Sequence, residues 1–257
     1  VGGDTDAVVL KLSPEDLPAP AVSPNGVVNA ASSLPGPVAP GEIVTIYGSQ
    51  LGPVSLEHSR VTAEGVFDTL LADTRVLIDG VPAPLIYTSA GQVSAVVPYR
   101  VAGKSSIELV VEYKGLRSPP VSLAVVAAAP GIFTLDKTGK NQGAILNQDY
   151  TINGASSPAA RGSVVMVYCT GEGQTKPAGV DGKIAAPPLP APLLPVTARV
   201  GGHEAEVLYA GAAPFLVTGV FQVNVRIPEG ISPGDAVPLL VQVGDVQSQP
   251  GVTLAVR

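Results

Sequence analysis

Apolar and polar residues alternate with a period of two in several stretches of this chain. Ile43, Thr45 and Tyr47 take one phase while Val44 and Ile46 take the other, and Val223, Val225 and Ile227 alternate with Gln222, Asn224 and Arg226. Successive side chains of an extended strand point to opposite faces, so each stretch predicts a half-buried β-strand with one face on a core. No stretch carries three turns of helical periodicity. Gly80 and Gly202 lie between apolar runs where a hairpin must reverse, and glycine tolerates the positive φ of such turns. Pro98 and Pro228 close two of the strands, because proline has no N–H to give a ladder.

The pattern is written twice. PGEIVTIYG at 40–48 is answered by RGSVVMVYC at 161–169, a displacement of 121 residues from Gly41 to Gly162. DGVPAPLIY at 79–87 is answered by GGHEAEVLY at 201–209, 122 residues on from Gly80 to Gly202. QVSAVVP at 92–98 returns as QVNVRIP at 222–228, now 130 residues on, and VSLAVV at 121–126 returns as VTLAV at 252–256. Four matches in one order identify a tandem duplication. Six or seven short strands in each unit of roughly 110 residues predict an all-β fold of two immunoglobulin-like sandwiches. The expected division is 1–24 as an N-terminal strand or linker, 25–129 as the first domain and 130–257 as the second. The joint falls at 128–131, short enough to limit relative motion.

Composition narrows the function classes. The 257 residues hold 29 glycines and 26 prolines with 46% hydrophobic residues, which suits short strands and tight turns and not a disordered chain. A net charge of −6 without a Lys/Arg cluster repels a phosphate backbone, so nucleic acid is not an expected partner. One cysteine, Cys169, and two histidines, His58 and His203, provide neither an intramolecular disulfide nor a thiolate or histidine-rich metal site. The longest apolar run, 123–129, is far below the roughly 20 residues of a membrane-spanning helix, and membrane insertion is not expected. The chain begins Val-Gly-Gly, which reads as a piece of a longer protein with any targeting segment upstream.

Two resemblances follow from the wording. PGEIVTIYGSQLGP, VLIDGVPAPLIYTSAGQVSAVVP and SIELVVEYKGLRSPPVSLAVV, in that order, resemble an IPT/TIG domain, the immunoglobulin-like module of many surface proteins. From Asn25 to Val256 the chain further resembles the uncharacterised C-terminal domain family of Solibacter-type Acidobacteria. Its recurring phrases stand here as APGIF (129–133), TGEGQT (170–175), QVNVRIP and SQPGVTLAV. The resemblance implies a secreted or surface-exposed C-terminal region of a large multidomain protein, and brings no catalytic residue with it. GGDTDAVVLKLSP at 2–14 resembles the tail of an SBBP-type β-propeller repeat; an ordinary strand or linker is the alternative. Either way residues 7–12 are expected to be extended, and the proline-rich stretch 17–24 would be a spacer.

Candidate chemistry is sparse. TGEGQT sets two glycines around Glu172, yet lacks the lysine of a phosphate loop and the third glycine of a dinucleotide fingerprint, so a turn leaving a strand is the simpler reading. Asn147, Asp149, Thr151 and Asn153 offer alternating polar groups, but the glycine comes too late for a calcium loop and no acidic residue closes it. Cys169 occupies the place of Gly48 at the end of a strand and is expected to be an inert, partly buried thiol. With no tryptophan, an aromatic sugar platform has little material, and Tyr47, Tyr87, Tyr168 and Tyr209 are expected in core or corner positions.

One asymmetry separates the copies. Four residues lie between Tyr87 and Gln92, but twelve, AGAAPFLVTGVF, between Tyr209 and Gln222. The loop 210–221 is apolar, which marks either a contact surface or a segment folded back on its own sandwich, and Phe215 and Leu216 are its candidate binding residues. The expected function is a non-catalytic spacer or adhesion module of a secreted or cell-surface protein, without cofactor or metal. Its partners would be other domains of the parent protein, a surface protein or a glycan. A carbohydrate-binding accessory module is the alternative.

Overall fold

The computed structural model describes residues 18–257, so the expectation for residues 7–12 lies outside the described part. Ten strands form the first half: β1 (Ala21–Asn29), β2 (Ile43–Ser49), β3 (Glu57–His58), β4 (Thr74–Ile78), β5 (Val81–Pro82), β6 (Leu85–Thr88), β7 (Gln92–Val96), β8 (Ser106–Tyr113), β9 (Leu116–Arg117) and β10 (Val121–Ala124). They make two facing sheets, ordered β1-β2-β7-β6-β3 and β10-β8-β4-β5, with β9 on β8.

The second half follows with β11 (Gly131–Ile132), β12 (Asn141–Gln142), β13 (Ile145–Leu146), β14 (Val164–Thr170), β15 (Thr175–Lys176), β16 (Ala191–Pro192) and β17 (Val196–Val200). It is completed by β18 (His203–Ala205), β19 (Val207–Ala212), β20 (Phe221–Arg226), β21 (Gly234–Val243), β22 (Val246–Gln247) and β23 (Val252–Val256). Its sheets run β11-β14-β20-β19 with β13, and β12-β23-β21-β17-β18 with β22. An extra two-stranded ribbon, β15-β16, has no counterpart in the first half. Among the described residues the only helical element is the 3-10 turn Tyr99–Val101.

The duplication holds at the level of register. Tyr47 sits opposite Gln92 where β2 meets β7, and Tyr168 opposite Gln222 where β14 meets β20. Each sandwich has its own core, one around Ile46, Leu85 and Leu109, the other around Phe221, Ile227 and Leu254. The hairpins turn where the glycines predict: Asp79 and Gly80 have φ of +49° and +75°, Gly201 and Gly202 of +59° and +82°.

Two expectations need correction. Tyr47 is 43% exposed, while Tyr87, Tyr168 and Tyr209 are half-buried, so none is a core residue. Tyr47 and Tyr168 point away from the sandwich cores that hold Val44 and Ile46 in one copy and Val165 and Val167 in the other, and a bulge immediately precedes both Tyr87 and Tyr209. The segment 210–221 is not all loop either. Ala210, Gly211 and Ala212 continue β19 against Val223, Gln222 and Phe221, so part of the insertion lengthens a hairpin and only 213–220 forms its tip.

Candidate functional site

Where β14 ends, Gly171 and Gly173 carry the chain on with φ of +85° and +78°. A Cβ at these positions would run into the carbonyl oxygens of Ala129 and Ala127, so the loop lies flat on the connection between the domains, where the Ala129 N–H donates to the Gly171 oxygen at 2.9 Å. Pressed there, its polar side chains face the first domain. Thr170 Oγ1 accepts from the Ile43 N–H at 2.8 Å, Gln174 Nε2 donates to the Tyr99 carbonyl at 2.6 Å, and Glu172 Oε1 accepts from Tyr99 Oη at 3.0 Å. From further along, Asp181 Oδ1 accepts from the Tyr99 N–H at 2.8 Å, and Asn29 Nδ2 of the first domain donates to the Ala129 oxygen at 3.0 Å. TGEGQT is therefore a clasp between two sandwiches.

The clasp buries charge. Glu172 is 2% exposed and Glu42, whose Oε2 accepts from the Ala39 N–H at 2.7 Å, is 1% exposed. Burial disfavours the ionised form and pushes the Glu172 carboxyl up to about 7, against the hydrogen bonds from its own backbone and Tyr99. Glu42 is pushed up to about 8, again by burial, with hydrogen bonds to Ala39 and Asn29 opposing and the Glu172 charge adding to the rise. Burial and the neighbouring Glu172 carboxylate likewise raise the Tyr99 phenol and the Cys169 thiol well above their ordinary values.

Beside the clasp the joint is apolar. Ile43 and Val96 of the first domain bury against Val217 of the second, with Phe67, Phe133 and Ile184 packed around them. A short cross-domain ladder closes one side: the Phe67 N–H donates to Gly182 O and the Ile184 N–H to Gly65 O, both at 2.9 Å. Open to solvent next to this cluster is a groove of about 740 Å³ between the domains. Thr45, Tyr47, Tyr87, Gln92 and Ser94, from β2, β6 and β7, lie along the first-domain side. His58 on β3 stands edge-on to Tyr87, with ring centroids 6.3 Å apart.

Phe215 and Leu216 line this same groove, 78% and 41% exposed. The hairpin tip carrying them is tied to its own domain, the Phe215 N–H donating to Ala185 O at 2.9 Å and the Ala185 N–H to Leu216 O at 2.8 Å. Val217 and Gly219 of this segment are buried at the joint, Gly219 so close to the first domain that a Cβ would meet the Gly41 oxygen.

Asn147, Asp149, Thr151 and Asn153 do come together, but as one internally hydrogen-bonded turn. Asp149 Oδ1 accepts from the Thr151 amide and hydroxyl, and Asn147 Nδ2 donates to Thr151 Oγ1. Asn153 Nδ2 donates to Asn147 Oδ1, while Asn153 exchanges hydrogen bonds with the Ala255 backbone. Among the described residues no three His, Cys, Asp or Glu side chains gather as a metal ion would require. His203 is exposed in β18. Cys169 is wholly buried, opposite Phe221. In a thiol titration it should stay unmodified in the native protein and react promptly once denaturant is added; rapid native labelling would contradict its burial.

Tyr99, Asp181 and Val217 carry the joint, and residue-by-residue reading does not single them out. A usable signal was present nonetheless. TGEGQT stands where the first copy has SQLGPV (49–54), with Glu172 in place of the buried Leu51, and both APGIF and TGEGQT, two of the resembling phrases, fall at the joint.

Residues 27–125 match the family model described as IPT/TIG domain. No curated protein matches the chain. Among solved structures, SGBP-B from a complex xyloglucan utilization locus in Bacteroides uniformis is similar at 15% identity over 91% of this chain and 49% of that one, with a TM-score of 0.25. Domains 5-6 of the S-layer protein SbsC are similar at 16% identity over 92% and 98% of the two chains, TM-score 0.29. Titin A168169 is similar at 14% identity over 93% and 99%, TM-score 0.21. The chain thus spans about half the length of the SGBP-B chain. The family match covers the first sandwich, and the shared strand register carries the same immunoglobulin-like architecture into the second.

Proposed function

We propose that this chain is a non-catalytic tandem immunoglobulin-like module of a larger secreted or cell-surface protein, and that it captures a partner in the groove between its domains. The observation that carries the reading is Phe215, a large aromatic ring left 78% exposed at a concave surface built by both domains. Exposed aromatic anchors in a concavity supply most of the contact energy in recognition. The ring sits on the insertion that distinguishes the second copy from the first, where an added function does not compete with the shared fold.

A non-catalytic role is supported by what happens to the reactive groups. The single thiol is buried, and the two carboxyls pushed up to about 7 and 8, Glu172 and Glu42, are buried away from solvent. The clasp and the cross-domain ladder hold two sandwiches in one relative placement, as suits a spacer or a presenting surface.

A glycan is the second reading, and one feature favours it. Tyr47 and Tyr87 provide ring faces beside the hydroxyls and amide of Thr45, Ser94 and Gln92, a mixture that serves the apolar faces and hydroxyls of a sugar. An array of neutral polysaccharides and extended peptides, probed with the wild-type chain and with a Phe215→Ser, Leu216→Ser double variant, tests both readings. The variant should fold normally, since neither side chain is core, and should lose about tenfold or more in binding to whatever the wild type captures. Equal binding by the two proteins would refute the groove, and unfolding of the second domain would show the tip to be structural.

A further inference from the structure

We propose that the joint between the two domains is a proton-operated latch, held closed while the Glu172 carboxyl carries its proton and loosened when that proton leaves to solvent. The inference needs only the joint; it stands whether or not the groove binds anything.

Glu172 belongs to one domain and reaches into the other. Its Oε1 takes a hydrogen bond from Tyr99 Oη at 3.0 Å, while Oε2 is buried without a hydrogen-bond partner among the described residues. A carboxylate is an acceptor only, with room for several donors, so the Tyr99 hydroxyl and its own backbone amide, with Oε2 left bare, leave the ionised form poorly compensated. A protonated acid needs less, because one oxygen then carries an O–H and the other still accepts from tyrosine. The groups around it do not offset the charge. They are the Tyr99 phenol from the 3-10 turn, the Glu42 carboxyl from the segment before β2, and the Cys169 thiol at the end of β14. Asp181 lies beyond Tyr99, on its amide, and the nearby cation Arg100 acts on Asp181 and Asp79.

The direction follows from linkage. Glu172 has an ordinary value of 4.5 and is raised to about 7 when the domains are docked. Below 4.5 both docked and separated forms are protonated and docking keeps its full strength. Between the two values the separated form loses its proton first, and docking weakens as pH rises through about 7; above that it is weakest and constant. The displacement allows at most about a 300-fold change. Glu42, raised to about 8 and hydrogen-bonded only within the first domain, is linked to the latch through its repulsion of the Glu172 charge. Acid therefore assembles the two-domain surface and mild alkali releases it.

Hydrogen exchange on the full chain tests this. The amides of Ile43, Phe67 and Ile184 are held by acceptors of the opposite domain, whereas those of Ala83 and Ser248 bond within their own. Corrected for intrinsic exchange, protection of the first three should fall about 10- to 100-fold between pH 5 and pH 8.5, with the two controls unchanged. Glu172→Gln keeps an acceptor for Tyr99 and should flatten most of that fall. Tyr99→Phe removes a bond that favours the ionised form and should move the midpoint to higher pH. A flat wild-type profile overturns the latch. So does a fall that survives Glu172→Gln and vanishes with Glu42→Gln, or a midpoint indifferent to Tyr99→Phe.

Discussion

Phe221→Ala should destabilise the second sandwich by about 3–5 kcal/mol and leave the first nearly untouched. Phe221 heads the largest fully buried side chains among the described residues and opens β20 directly opposite Cys169. Its counterpart in the first copy is Gly91, exposed with open space where a Cβ would stand, so the ring is an addition peculiar to the second core. Truncation would leave a cavity that rigid flanking strands close only in part, and the lost contacts add to the lost transfer energy. Denaturant unfolding followed by amide signals from each half should show one transition moved and the other fixed. An unmoved second transition would mean that the ring is not part of that core.

Gly173→Val should separate the domains without unfolding either. The position has a φ of +78°, unfavourable for a β-branched residue, and its Cβ would be driven into the Ala127 carbonyl. The loop can relieve the clash only by lifting off the interdomain connection, which draws Thr170, Glu172 and Gln174 away from Ile43 and Tyr99. Gly103→Val supplies the comparison, since it has a φ of +80° with nothing near the added Cβ. Small-angle scattering should report a larger radius of gyration for Gly173→Val than for Gly103→Val. Equal radii would show that the apolar cluster around Val217 holds the joint by itself.

The strands, their pairing and the duplication were legible in the chain because they are encoded locally. A period of two assigns faces within one strand, and a repeated phrase such as QVSAVVP and QVNVRIP assigns equivalent partners, which the matching Tyr47–Gln92 and Tyr168–Gln222 registers reproduce. Tyr47 shows the limit of that reasoning. Recurrence in both copies suggested a core role, yet a recurring residue can equally hold a repeated outward phase. Phe215 and Leu216 were visible as an apolar excess, but whether such residues cover their own sandwich, the other one or a groove depends on where the neighbouring domain lies.

Two copies of one immunoglobulin-like sandwich, with an insertion in the second, follow from local pattern alone. The role of TGEGQT depends on the assembled molecule. Glu172 and Tyr99 are 73 residues apart, on different domains, and nothing in the local pattern of either marks the other. Strand identity is a property of neighbours along the chain and survives without the rest of the molecule. The burial of a carboxyl and its hold on a proton arise when two completed sandwiches exclude water from the surface between them, a property of the pair.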